Sequence, residues 1–122
     1  MSKEDQLFQQ GIKAFNDKCF YDAHEFWEEL WLDYKLEDSV FIQGLIQLAV
    51  SYFHLFNNNL KGARSMITKC LGKFEGLNTA RGMDVNKLKE QIEQVQTHLN
   101  DISNRSDIID RYILTLKVLH EE

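Results

Sequence analysis

Apolar residues recur at intervals of three and four along most of this chain, and not one of its 122 residues is proline. That spacing puts side chains on one face of an α-helix, and proline is the commonest helix breaker. The pattern predicts a first helix over about residues 3–17, marked by Leu7, Phe8, Ile12 and Phe15 and closed by Asn16-Asp17-Lys18. A second runs from Phe20 to about Tyr34. Asp38 or Ser39 is placed to cap a third that continues to Phe56, where Asn57-Asn58-Asn59 breaks it. The fourth carries Leu60, Ala63, Ile67, Cys70 and Phe74 in register, with Gly76 as its C-terminal cap. Leu77–Met83 reads as a polar loop, and Asp84 as the cap of a fifth helix. Beyond Arg105, Ile108, Ile109, Tyr112, Ile113 and Leu116 suit a helix, whereas Tyr112, Leu114, Leu116 and Val118 alternate as a strand would. The helical character of the rest favours helix.

The expected fold is therefore all-α, a compact bundle of five or six helices in antiparallel hairpins. It forms a single domain over residues 1–122, with 103–122 as a C-terminal segment of open conformation. Gly11, Ala23 and Trp27 have the glycine–alanine–aromatic spacing of a tetratricopeptide unit, and Ala49, Tyr52, Ala63 and Ile67 form a looser second copy. Neither copy completes that pattern. What carries over is close antiparallel helix pairing at small residues. Val85, Leu88, Ile92, Val95, Leu99 and Ile102 alternate in steps of three and four. Such a seam either lays an outer helix on the bundle or joins two chains as a homodimer.

Composition excludes several roles. A formal net charge of −5 with no Lys/Arg run argues against nucleic acid as a partner. Residues 40–56 are strongly apolar but hold Gln43, Gln47 and His54 and are short for a bilayer, so a core helix is expected and no membrane partner. The two cysteines, Cys19 and Cys70, lack a CxxC spacing, and the first residues show no apolar signal segment. Reduced thiols in a cytoplasmic protein follow as the expectation.

The second helix carries the chemistry, in the stretch His24-Glu25-Phe26-Trp27-Glu28-Glu29-Leu30-Trp31. His24 and Glu28 sit one turn apart and can share a ligand, a proton or a metal ion. At about 100° per residue, Phe20, His24, Trp27 and Trp31 share a stripe about 60° wide, with Glu28 at its edge. Asp22, Glu25, Glu29 and Asp33 fall opposite, on a solvated face. On the third helix Gln43, Gln47 and His54 form a polar strip amid apolar residues, and this strip is expected to face His24 and Glu28 across the interface of helices two and three. Three chemistries use such a set. His24, Glu28 and His54 form a two-histidine, one-carboxylate set for a divalent ion such as zinc, iron or manganese, lined by Trp31, Gln43 and Gln47. Glu28 and His24 alone form an acid–base pair. Or the groups form a structural hydrogen-bond network. Function is thus divided between a metal- or small-ligand-binding protein, with enzymatic activity open, and a helical-hairpin interaction module.

The residues Phe15-Asn16, Phe20-Tyr21-Asp22-Ala23-His24-Glu25, Trp27-Glu28, Trp31, Gln43-Gly44-Leu45-Ile46-Gln47-Leu48-Ala49, Tyr52, His54 and Gly62-Ala63 together resemble a bacterial and archaeal family. It is the domain of unknown function numbered three hundred and nine, marked by HxxxExx(W/Y). The resemblance implies a small all-helical fold of unestablished activity. It also implies a metal suggested for the motif, here His24 and Glu28 with Trp31 at the aromatic position.

Overall fold

In the computed structural model, which describes residues 1–101, five helices follow one another with short connections. They are α1 (Lys3–Asn16), α2 (Phe20–Asp33), α3 (Ser39–Phe56), α4 (Leu60–Phe74) and α5 (Val85–Asp101). The segment 103–122 and Ile102 lie outside the described residues. Each helix packs on the next in sequence. The pairing is antiparallel: Phe20 at the start of α2 meets Tyr52 and Phe56 near the end of α3, with ring centroids 5.3 and 5.0 Å apart. Phe41 at the start of α3 meets Phe74 at the end of α4 at 5.4 Å. An all-α bundle is what the periodicity predicts.

Local chemistry sets the helix ends. Ser2 caps α1 by accepting from the Asp5 amide, Asn59 caps α4 by accepting from Gly62, and Asp84 caps α5 by accepting from Lys87. Gly76, at φ +82°, supplies the left-handed residue after α4. Asp38 occupies the N-cap position of α3 yet makes no capping bond, because its carboxylate turns instead to Arg81.

The α1–α2 pair is set by one contact. Trp27 is fully buried, and a Cβ at position 11 would collide with its indole ring. Its Nε1–H donates to the Phe8 carbonyl at 3.2 Å. Glycine thus lets the backbone of α1 lie directly against an indole. α3 is the central element, packed on α2 and α4. It is long and apolar enough by length and composition to cross a membrane, but half of it is buried within the protein. The Ser51 hydroxyl, buried on it, donates to the Ala63 carbonyl of α4 at 2.9 Å.

α5 lays its seam inward. Val85, Leu88, Ile92, Val95 and Leu99 are all buried within the one chain, α5 packs on α4, and Arg64 Nε of α4 donates to the Leu99 carbonyl at 2.6 Å. The seam thus serves as the inner face of a peripheral helix in the single chain.

The stretch expected to be a polar loop before α5 holds a small hairpin instead. β1 (Thr79–Ala80) pairs antiparallel with β2 (Met83–Asp84) around Arg81 and Gly82, at φ +47° and +77°. Two consecutive left-handed residues suit the tight turn of a two-residue hairpin. A non-glycine residue there is strained, and side-chain bonds hold it. Arg81 Nε donates to Asp38 Oδ2 at 2.7 Å, and its Nη2 donates to Asp38 Oδ1 at 3.2 Å and to Glu4 Oε2 at 2.8 Å. The guanidinium also lies over the Phe8 ring. Partial burial works against its charge, but the bonds and charges of Asp38 and Glu4 outweigh that and hold it above its usual range.

Candidate functional site

The α1–α2 contact fixes which way α2 is turned. With Trp27 driven toward Gly11, the stripe predicted to be one aromatic face is split. Phe20 and Trp27 go inside, while His24 and Trp31, displaced from Trp27 by about 60° and 40° around the axis, emerge at the margin facing the outer flank of α3. His24 Nε2 and Glu28 Oε2 do meet, at 3.3 Å. The carboxylate is half-exposed, at 49%, and the imidazole is 21% exposed. The pair therefore sits at the surface, which corrects the expectation of a buried site. Nε2 faces Glu28, and the buried Nδ1 has no hydrogen-bond partner among the described residues.

Aromatic side chains rim the pair. The Tyr21 ring lies 5.6 Å from the His24 ring and 5.6 Å from that of Phe53 on α3. Tyr21, Trp31, Leu32 and Phe53 are all exposed. Phe53 is not marked by the sequence pattern, and Tyr21 is marked only as part of the stretch that carries the family resemblance. Tyr21 stands three residues before His24, so its place on the same face was readable once that histidine was chosen.

The strip on α3 goes elsewhere. Ser51, four residues after Gln47 and three before His54, bonds to α4, so this line of residues follows the α3–α4 seam. His54 Nδ1 accepts from the side-chain amide of Asn59 at 3.4 Å, and the ring edge lies against Gly62. Since Asn59 Oδ1 already caps α4, its NH₂ group is the one left to face the imidazole. Gln47 Oε1 is buried without a hydrogen-bond partner among the described residues, and Gln43 is half-buried. His54, Gln43 and Gln47 thus do not converge with His24 and Glu28. The reason is steric: Gly44 and Ser51 are small residues on one flank of α3, and there they let α4 approach on the side that also carries the polar strip.

The donor set expected for a divalent ion is accordingly short. Among the described residues no group of three or more His, Cys, Asp or Glu side chains is placed to hold a metal. His24 and Glu28 supply two donors where a protein zinc centre uses three or four. Of the two thiols, Cys19 is exposed just before α2 and Cys70 is buried, where burial pushes its thiol up.

The fold and this surface define a class: a small helical bundle with a histidine–carboxylate pair set among exposed aromatics on its second helix. The sequence model of a family described as Domain of unknown function (DUF309) matches residues 8–66, from the first helix into α4, and so includes the whole of that surface. The match supports the family resemblance. An uncharacterized protein of Aquifex aeolicus (strain VF5) is 26% identical over 97 residues, covering 78% of this chain and 29% of that relative. The chain thus spans less than a third of the length of the curated relative it matches.

Proposed function

We propose that the protein is a recognition module, that its working surface is the outer face of the α2–α3 hairpin, and that the HxxxExxW stretch marks it. One observation carries this reading. Of the six large hydrophobic side chains exposed among the described residues, five belong to α2 and α3: Tyr21, Trp31, Leu32, Val40 and Phe53. Exposed apolar groups scattered singly mean little, but aromatics gathered round a polar pair are the composition of a contact surface. His24 and Glu28 would supply its directional hydrogen bonds. A metal- or small-ligand-dependent variant of the reading needs donors beyond this pair, brought by whatever binds.

Selection of a displayed peptide library on the folded protein tests it, with binders mapped by amide chemical shifts. Binders are expected to move Tyr21, His24, Glu28 and Trp31, and Trp31→Ala should weaken them about tenfold or more. Binders that map to α4–α5, or that ignore Trp31→Ala, overturn the reading. The same spectra recorded with zinc, manganese or iron test the metal-dependent variant: selective movement of His24 and Glu28 supports it, and unmoved spectra remove it.

A further inference from the structure

α2 holds five of the nineteen carboxylates of the chain, Asp22, Glu25, Glu28, Glu29 and Asp33, and none of its fourteen lysines and arginines. The fourteen carboxylates elsewhere are matched one for one by those fourteen cations. The whole formal charge of −5 is therefore the charge of one helix. All five carboxylates are exposed, and among the described residues only Glu28 has an ion-pair partner. α3 alongside has no Asp, Glu, Lys or Arg to offset them. Asp33 is also unfavourably placed, in the last turn, where the helix dipole repels anions and no basic residue offsets it.

The acidic residues adjoin the apolar ones. At about 100° per residue, Trp31, His24, Glu28, Tyr21 and Leu32 occupy one arc of about 100°, and Glu25, Glu29, Asp22 and Asp33 continue from its edge. We propose that the occupant of this face is an amphipathic, lysine- or arginine-rich polypeptide segment. Its apolar side would lie on Tyr21, Trp31, Leu32 and Phe53, and its cations against the α2 carboxylates. This rests on the α2–α3 face being the recognition surface, and adds the partner's charge and shape. Apolar contact alone would accept many partners; the unpaired carboxylates select a cationic one and speed its approach.

The test uses labelled 18-residue model peptides and fluorescence anisotropy. One is a leucine/lysine amphipathic helix, the second has glutamine for lysine, the third has glutamate for lysine, and the fourth scrambles the lysine peptide so that its apolar face is lost. The lysine helix should bind most tightly, should weaken with added salt, and should lose about tenfold or more against Glu25→Gln/Glu29→Gln/Asp33→Asn. The three positions are exposed, so circular dichroism of that variant should match the parent and its melting temperature should equal or slightly exceed it. Equal binding of the helical and scrambled lysine peptides, or undiminished binding to the triple variant, overturns the proposal. If instead the glutamine helix binds as well as the lysine helix and Tyr21→Ala/Trp31→Ala abolishes both, the cationic partner falls while the recognition face stands. If no peptide of any charge contacts the face, both fall.

Discussion

Glu28 is the residue whose environment decides what its replacement costs. Its carboxylate is half-exposed and meets His24 at 3.3 Å. A partly exposed histidine–carboxylate pair one helical turn apart contributes little, so Glu28→Ala should cost no more than about 1 kcal/mol. Glu29→Ala, with no partner and solvent around it, should fall within about 0.5 kcal/mol of the parent. Urea melts of the two variants check this; a loss of several kcal/mol at Glu28 alone would show a buried network after all. The cysteines give a second residue-scale expectation. Cys19 is exposed and Cys70 is sealed in the core with its thiol pushed up. A thiol reagent should therefore label one cysteine per folded chain quickly, and the second only on unfolding. Two fast thiols, or none, would contradict the packing of α4.

At the scale of elements, α5 and the hairpin before it behave differently under substitution. Leu88 and Val95 are buried against the rest of the chain. A lysine at either position cannot be accommodated by parting two molecules, as a shared coiled-coil seam would allow. Leu88→Lys should cost about 3 kcal/mol or more. It should appear in a melting curve as destabilisation at every protein concentration; a melting temperature of the parent that rises with protein concentration would instead indicate a dimer. The hairpin turns on Arg81. Arg81→Ala removes its bonds to Asp38 and Glu4 while keeping a side chain at φ +47°. Arg81→Gly removes the same bonds and relieves the backbone. Both variants should lose about 1–3 kcal/mol, and the alanine variant should be worse by about 1 kcal/mol. Equal melting of the two would mean that the turn carries no strain.

Across the whole molecule, the parts legible in the sequence are those that obey local rules. The helix starts at Phe20, Leu60 and Val85 follow from periodicity and capping chemistry, and the burial of Trp27 and Phe74 follows from the same patterns. What the periodicity leaves open is rotation: a stripe about 60° wide cannot say which of its members faces the neighbour. Here the fit of Trp27 to Gly11 settled it and moved His24 and Trp31 to the margin. Likewise nothing local says that Gln47 and His54 turn toward α4, because that depends on α4 approaching at Gly44 and Ser51. The Arg81 cluster was invisible for another reason. It joins positions 43 and 77 residues apart in the chain, and an Arg-Gly pair in a polar stretch announces only a turn.

That cluster has a consequence for how the structure comes apart. One guanidinium fastens the first turn of α1, the connection between α2 and α3, and the hairpin that delivers α5. Three segments far apart in the chain thus share a single closure, as the two ends of a belt share a buckle. Opening events that free α5 must also release Glu4 and Asp38, so the margins of this bundle should not fray independently. In native-state hydrogen exchange, the amides at the N-terminal end of α1, those following Asp38, and those at the start of α5 should open with one common free energy and one denaturant dependence. In Arg81→Ala that shared value should split into separate, lower ones, with α3 and α4 retaining the slowest exchange.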